Sequence, residues 1–229
     1  MRTVFFDFGG TLARTWVSDG RTPAELWGRT LGRWGLSVAP EQLADALRET
    51  DHELSGQIYR YLGRTPELWN LFESTVLGHL GLRDPPDELL QLVRREFDQA
   101  SRGTLFEETR PVLVELQRRG VALGVISNHN DALREILAFH GLLRPFATVT
   151  YSQEVGAEKP DRRVFDLALA RAGCAAGEAI HVGDSWAADY LGAKAVGMRA
   201  IWLNRRGRSP PEACESVSDL LGVLPLVGP

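Results

Sequence analysis

The chain has 229 residues, enough to bury a hydrophobic core in one large domain or in two unequal ones. Its composition, with 44% hydrophobic and 24% charged residues, is that of an ordinary globular protein. The net charge of -4 gives no sign of the basic surface on which nucleic-acid binding usually depends, so we expect no nucleic-acid partner.

The sequence also bears on the cellular compartment. No stretch approaches the ~20 apolar residues that a membrane span needs, so we expect no membrane partner. The first predicted strand begins at Thr3, which leaves no room for a signal peptide. The two cysteines, Cys174 and Cys214, lack metal-type or redox-type spacing and fit a reducing compartment. We therefore expect a cytoplasmic protein.

The first predicted strand ends in a potential nucleophile. The apolar run Thr3–Phe6 is followed by Asp7 and then by a glycine-rich turn that contains Gly9, Gly10 and Thr11. A carboxylate at the end of a buried strand lies where open α/β sheets bind ligands. Asp7 is therefore a candidate for nucleophilic attack on a substrate.

The next ninety residues have almost no strand signal. A structureless connection longer than ~15 residues is uncommon, so we expect a helical insertion. Proline at or near each predicted start is typical of a helix N-terminus. The predicted helices are Pro23–Trp34, Pro40–Tyr61, Pro66–Leu80 and Asp87–Ala100. We assign residues 15–104 to this inserted domain, and residues 1–14 and 105–229 to the core.

The rest of the chain alternates between helical and strand patterns, which predicts a doubly wound parallel sheet in an α/β fold. The predicted helices are Pro111–Arg119, Asp131–His140, Arg162–Ala172 and Ala187–Val196. The predicted strands are Val121–Ile126, Thr148–Tyr151, Ala179–Val182 and Ala200–Leu203. The short arginine-rich segment Arg205–Arg208 follows the last of these strands, and we interpret it as a solvated loop.

Two segments, which follow the first and second of these strands, carry residues suited to binding a phosphoryl group. Ser127 and Asn128 end one strand just before a helix, where a hydroxyl and backbone N–H groups hold a phosphoryl oxygen or simply form a helix-entry turn. Lys159 precedes Pro160, which pins the chain. Because only two residues of the chain are lysines, we favour a functional Lys159 over a surface one.

Four segments of the chain now carry candidate site residues, and the segment from Gly183 to Asp189 is the most specific of them. A buried strand ends in Gly183-Asp184, and a second carboxylate, Asp189, follows on the entering helix. Carboxylate oxygens that converge with Asp7 suit Mg²⁺. Helix capping by Asp184 or Ser185 is the alternative, and it is compatible with metal binding.

Together and in this order, the four segments resemble the motifs of the haloacid dehalogenase superfamily of aspartate-nucleophile hydrolases. The resemblance covers residues 1–12 and about 106–203. The helical insertion resembles the small cap domain of the family. This resemblance implies a Rossmann-like core, a Mg²⁺ cofactor and a small phosphorylated substrate.

The resemblance assigns roles residue by residue. It implies that Asp7 is the nucleophile, which forms a covalent aspartyl intermediate with help from Ser127 and Lys159. The residues that it places around the phosphoryl group are Gly10, Thr11, Ser127, Asn128 and Lys159. Those that it places at Mg²⁺ are Asp7, the backbone carbonyl of Gly9, Asp184 and Asp189, the last as a ligand or in the second shell.

The chain departs from the family pattern at Gly9. Phosphatases of the family carry an aspartate there, which protonates the leaving group and then activates water. General acid–base catalysis contributes ~10²–10⁴-fold, so we expect a weak or unusually selective phosphatase. Other candidates for the proton transfers are His129 and the residues Asp51, His52 and Glu73 of the insertion, although for each of them we favour an exposed or structural role.

The preferred hypothesis is a Mg²⁺-dependent phosphatase, acting as a monomer or a homodimer. One alternative is a weakly active or inactive homologue that binds a phosphorylated ligand or a partner. Another is a 2-haloacid dehalogenase, although that branch does not use the Gly183–Asp189 arrangement. Phosphonatase chemistry needs a cap lysine, and residues 15–104 contain none. The sequence does not name the substrate.

Overall fold

The computed structural model of the chain describes residues 3–15, 22–54 and 66–228. Its strands are β1 (Thr3–Phe6), β2 (Ala13–Arg14), β3 (Thr104–Leu105), β4 (Ala122–Ser127), β5 (Thr148–Tyr151), β6 (Ala179–Gly183), β7 (Arg199–Leu203) and β8 (Ser216–Val217). Its α-helices are α1 (Pro23–Arg33), α2 (Pro40–Glu53), α3 (Pro66–His79), α4 (Asp87–Arg102), α5 (Thr109–Arg118), α6 (Ala132–Phe139), α7 (Ser152–Val155), α8 (Arg162–Ala172), α9 (Gly192–Ala195) and α10 (Val223–Val227).

The chain divides into two compact units. One consists of Met1–Arg14 and Thr104–Pro229, and the other of Thr15–Gly103. The second unit is inserted in sequence between the short strands β2 and β3, which pair antiparallel with Ala13 opposite Leu105. The chain therefore leaves the first unit after β2 and returns to it at β3, and these two strands form one small antiparallel ribbon.

The first unit contains a six-stranded parallel sheet in the order β5-β4-β1-β6-β7-β8. From β1 the chain proceeds outward to β4 and β5, and it then returns to the other side of β1 for β6, β7 and β8. The strand order thus reverses between β1 and β6. In an open parallel sheet the crevice at such a reversal, at the carboxyl ends of the strands, is where ligands bind.

Both faces of the sheet are buried. On β1, Val4 and Phe6 belong to one apolar cluster with residues of α5 and α6 such as Leu113 and Ile136. Phe5 points to the opposite cluster, which includes Phe165 of α8. Because side chains alternate along a strand, continuous apolar strands require helices on both faces, and the predicted doubly wound fold is confirmed.

The predicted helix Ala187–Val196 is wrong in its first half. Residues Trp186–Leu191 form a π-helix, and only Gly192–Ala195 are α-helical. The Ser185 carbonyl accepts from the N–H groups of both Asp189, at 3.0 Å, and Tyr190, at 3.2 Å. The sequence analysis also missed β8 and α10, which are only two and five residues long.

The second unit is a small helical domain with its own apolar core. α1 begins with a capping box, in which Thr22 Oγ1 accepts from the Glu25 N–H and Glu25 Oε2 accepts from the Thr22 N–H. Trp27 is fully buried, with its ring 5.8 Å from that of Phe97. The four predicted helices are present, although the end of the predicted Pro40–Tyr61 falls on residues 55–61, outside the described part of the chain.

Two neighbouring residues of α5 provide a test of this core. Leu113 is 1% exposed and lies in the central cluster, whereas Val114 is 64% exposed. We expect Leu113→Ala to lower the free energy of unfolding by about 2–5 kcal/mol, because it leaves a cavity. Val114→Ala, the control, should change it by no more than about 0.5 kcal/mol. Chemical denaturation of both variants measures the difference, and equal values would contradict the packing described.

Candidate active site

Three of the predicted site residues lie at the carboxyl ends of adjacent strands. Asp7 directly follows β1, Ser127 is the last residue of β4, and Asp184 directly follows β6. The Asp7 N–H donates to the Val182 carbonyl at 2.9 Å, which ties Asp7 to the neighbouring strand. The parallel sheet therefore brings together side chains that are up to 177 positions apart, counted from Asp7 to Asp184.

The ammonium group of Lys159 lies at the centre of this cluster. Its side chain is 2% exposed. Nζ donates to Asp7 Oδ1 at 2.8 Å, to Asp189 Oδ1 at 2.6 Å and to the Ile126 carbonyl at 2.8 Å. These bonds use all three N–H donors of the ammonium. Lys159 is therefore placed to neutralise the Asp7 carboxylate.

The side chain of Asn128 holds the backbone of Lys159. Its Oδ1 accepts from the Lys159 N–H at 2.7 Å, and its Nδ2 donates to the Lys159 carbonyl at 3.1 Å. Both ends of the amide are thus committed to the protein. This geometry favours a positioning role for Asn128 rather than the phosphate contact expected from the sequence.

Asp189 likewise has protein partners on both carboxylate oxygens. Oδ1 lies 2.9 Å from His181 Nε2 and accepts from Lys159, while Oδ2 accepts from the Ser185 N–H at 2.9 Å. Of the candidate metal ligands, Asp189 is therefore the least free to coordinate a metal directly. Its contacts instead favour a role in which Asp189 orients Lys159 beside the site.

Unlike the Asp189 carboxylate, the Asp184 carboxylate accepts no hydrogen bond from a side chain of the described residues. Its carboxylate lies against the backbone of Gly10, where an added Cβ would be 2.4 Å from Asp184 Oδ2. Gly10 also has a φ of 81°, which favours glycine. The glycine-rich turn therefore makes room for the second carboxylate, directly beside Asp7.

The charges of this cluster are unbalanced. One oxygen from each of Asp7, Asp184 and Asp189 lies within 4.8 Å of the others. When all four groups are ionised, the three carboxylates and the Lys159 ammonium leave a formal charge of about −2. Burial, together with the nearby Asp7 and Asp189 carboxylates, raises the pKa of Asp184 to about 7.

Burial and neighbouring charges also shift the pKa values of Asp7 and Lys159. Burial raises the pKa of Asp7 despite the opposing effect of Lys159. Burial also acts to lower the pKa of Lys159, but the Asp189 and Asp7 carboxylates outweigh it and raise that pKa. Mg²⁺ prefers a few carboxylate ligands together with water and substrate oxygens. A divalent cation at Asp7 and Asp184 would balance the charge, so the residues present fit Mg²⁺.

The remaining candidates for phosphate binding lie in the turn of residues 7–13, which we call the nucleophile turn because Asp7 is the candidate nucleophile. Thr11 is fully buried, and its hydroxyl has no hydrogen-bond partner within the described part of the chain. The N–H of Gly10 donates to the Ala13 carbonyl at 2.8 Å. The Gly10 N–H is therefore committed to the turn, whereas the Thr11 hydroxyl is a buried donor with no partner among the described residues.

None of the described residues that could replace the missing acid at position 9 has a suitable environment. His129 Nδ1 accepts from the Asn130 N–H at 2.9 Å, and burial lowers the pKa of His129, which favours the neutral ring. Glu73 is fully buried, with Oε2 3.2 Å from Arg94 Nη2. His52 is exposed, and the side chain of Asp51 lies outside the described residues.

Comparison with known proteins agrees with this geometry. A family model described as haloacid dehalogenase-like hydrolase matches residues 1–197, so the chain belongs to that family. A phosphoserine phosphatase of Thermus thermophilus is 40% identical over 136 residues, 59% of this chain and 54% of the relative. A glyceraldehyde 3-phosphate phosphatase of Methanothermobacter thermautotrophicus is 30% identical, covering 89% of this chain and 86% of the relative.

Solved structures from two branches of the family are similar over nearly the whole chain. A HAD phosphatase from Thermococcus onnurineus has a TM-score of 0.70 at 26% identity and covers 100% of this chain and 98% of its own. A 2-haloacid dehalogenase from Pseudomonas syringae has a TM-score of 0.69 at 28% identity, with coverages of 99% and 97%. Among the described residues, no helix combines the length and apolar character that crossing a membrane requires.

The contact between Gly10 and Asp184 gives a direct test of the site. We expect Gly10→Ala to weaken Mg²⁺ binding by about 10-fold or more, because the new methyl group displaces the Asp184 carboxylate and strains a positive φ. Gly177→Ala adds the same methyl group where no atom lies within 4 Å and φ is not positive, and it serves as the control. Calorimetric titration with Mg²⁺ measures both. Unchanged affinity in Gly10→Ala would contradict Asp184 as a ligand.

Proposed function

We propose that this chain is a Mg²⁺-dependent phosphatase that acts on a small phosphorylated metabolite through an aspartyl-phosphate at Asp7. The observation that carries this proposal is the buried cluster of Asp7, Lys159 and Asp184 at the β1–β6 crevice. The relatives named as phosphatases of phosphoserine and of glyceraldehyde 3-phosphate support a small substrate.

In the proposed reaction, Asp7 attacks phosphorus and the P–O bond to the leaving alcohol breaks. Water then hydrolyses the aspartyl-phosphate, which releases inorganic phosphate and restores the Asp7 carboxylate. Lys159 holds Oδ1 of Asp7 at 2.8 Å, which leaves the second carboxylate oxygen as the attacking atom. The ammonium offsets the charge of the carboxylate as the anionic phosphoryl group approaches. Asn128 and Asp189 hold Lys159 from its backbone and from its side chain. Ser127, which is 3% exposed at the end of β4, is the proposed hydroxyl donor to a phosphoryl oxygen.

The proposed metal ligands are the Asp7 and Asp184 carboxylates and the Gly9 carbonyl. A bound Mg²⁺ supplies electrostatic stabilisation of the phosphoryl oxygens. A carbonyl ligand does not depend on the side chain, so glycine at position 9 is compatible with this set. We further propose that the helical unit Thr15–Gly103, inserted after the nucleophile turn, is the cap domain of the family.

Two alternative functions each rest on one observation. Gly9 removes the usual acid and base, which favours a weakly active homologue that binds a phosphorylated ligand or a partner. The similarity to a 2-haloacid dehalogenase favours attack of Asp7 on carbon instead of phosphorus. The three clustered carboxylates favour the metal-dependent phosphatase over both.

The central experiment measures hydrolysis of an aryl phosphate and of a panel that includes phosphoserine and glyceraldehyde 3-phosphate. We expect turnover with Mg²⁺ that is lost on chelation and in Asp7→Asn, because the amide is not a nucleophile. Asp166→Asn, a substitution of an exposed aspartate on α8, is the matched control and should retain activity. Halide release from a 2-haloacid without metal would instead establish the dehalogenase, and ligand binding without turnover would establish the binding homologue.

The substitution Gly9→Asp tests the role of the missing carboxylate. We expect it to raise turnover of alkyl phosphates by up to ~10²-fold, because a leaving alkoxide needs a proton and the water that attacks the aspartyl-phosphate must lose one. Aryl phosphates, whose leaving groups need less protonation, should gain less. Steady-state kinetics on both classes measures the effect.

The control for that experiment is Gly9→Asn, which has nearly the same size but no acid, and it should give no gain. Two outcomes would count against the interpretation. Lower activity of a folded Gly9→Asp protein would mean that the glycine makes room for a substrate. Efficient hydrolysis of alkyl phosphates by the wild type would mean that another acid is present.

A further inference from the structure

The arginine-rich segment predicts a solvated loop, but the side chain of Arg205 is not solvated in this way. It follows β7 and is only 18% exposed, and its guanidinium carbon lies 3.5 Å from the centroid of the Phe106 ring. Arg208 of the same segment is exposed, so the prediction is wrong for Arg205 in particular. The sequence gives no sign of this, because the groups that Arg205 contacts are about 100 and 200 positions away.

The guanidinium of Arg205 binds the backbone of the nucleophile turn. Nε donates to the Gly10 carbonyl at 3.1 Å, and Nη2 donates to the Thr11 carbonyl at 2.9 Å. Nη1 donates to Glu108 Oε1 at 2.6 Å. The planar fork of an arginine suits this arrangement, in which adjacent N–H groups reach consecutive carbonyls. A lysine at the same position would donate all of its hydrogen bonds from one nitrogen atom.

Other contacts complete the support of the turn. The Leu12 carbonyl accepts from Thr109 Oγ1 at 2.7 Å and from the Phe106 N–H at 3.2 Å. Within the turn, the Phe8 carbonyl accepts from the N–H groups of Leu12, at 2.9 Å, and Ala13, at 3.0 Å. Three consecutive carbonyls, of residues 10–12, are therefore held from outside the turn, and Arg205 holds two of them.

We propose that Arg205 is a positioning residue for the reaction at Asp7, which fixes the nucleophile turn so that the Gly9 carbonyl and the Asp184 carboxylate keep their places at the metal. This inference rests on the proposed function. Its physical basis is the close approach of Gly10 to Asp184: the carbonyl that Arg205 holds belongs to the residue whose Cα lies against that carboxylate. A small shift of Gly10 would therefore move a proposed metal ligand.

Glu108 holds Arg205 in this position. Burial acts to raise the pKa of Glu108, but hydrogen bonds from its own backbone N–H and from Arg205 outweigh it and lower that pKa. The ionised carboxylate keeps Nη1 engaged, while the stacking on Phe106 fixes the plane of the fork. Glu108 and Phe106 both follow β3, so one arginine contacts the chain on both sides of the β2–β3 ribbon.

The test compares Arg205→Met with Arg208→Met, the same substitution on an exposed side chain of the same segment. We expect Arg205→Met to weaken Mg²⁺ binding by about 10-fold or more and to lower kcat on an aryl phosphate similarly, because removal of an outer-shell support has effects of this size. Without metal, hydrogen exchange of the Leu12 and Ala13 amides should be faster in Arg205→Met. Arg208→Met should match the wild type in all three measurements.

Hydrogen exchange separates this inference from the proposed function. If the wild type binds no Mg²⁺, the metal site fails, and the exchange rates alone decide whether Arg205 fixes the turn. Exchange rates and Mg²⁺ affinity equal to those of Arg208→Met would overturn the inference. Should Arg205→Met fail to fold, Arg205→Lys decides: we expect partial loss in each measurement, and full retention by a folded Arg205→Lys would overturn it.

Discussion

The structure of the site depends on a buried cluster of like charges at one point of the sheet. β1 and β6 are neighbours, and their carboxyl ends deliver Asp7 and Asp184 to the same crevice. Buried carboxylates repel each other strongly unless cations offset them. Lys159 provides one cation at 2.8 Å from Asp7 and 2.6 Å from Asp189. Burial first, and then the negative charge of Asp7 and Asp189, raise the pKa of Asp184. The uncompensated charge also makes the cluster suitable for a divalent cation.

The features that sequence analysis predicted correctly are those encoded locally. Alternating strand and helix patterns predict a parallel sheet, and in such a sheet residues at strand ends, such as Asp7, Ser127 and Asp184, must lie at one edge. Their proximity therefore follows from topology without knowledge of any contact. The helical insertion was also evident, because prolines mark the starts of its helices and strand patterns are missing. β8, with two residues, is too short to leave a pattern.

The features that sequence analysis could not predict depend on contacts between distant residues. Asn128 looked like a phosphate ligand, because its sequence position is compatible with one, but its amide holds the backbone of Lys159, 31 positions away. Arg205 resembled its exposed neighbours and instead binds carbonyls 195 and 194 positions away. In each case the residue type was known, and the partner was defined only by the fold.

The two adjacent glycines of the nucleophile turn illustrate how a structural constraint differs from a chemical one. Gly10 is required by the backbone, since it has a positive φ and a Cβ there would overlap the Asp184 carboxylate. Gly9 has no positive φ, so its backbone conformation alone does not demand glycine. Under the proposed function, the missing side chain at position 9 would act on the choice of leaving group. Attack by Asp7 would need only alignment and charge compensation, whereas departure of an alkoxide would need a proton.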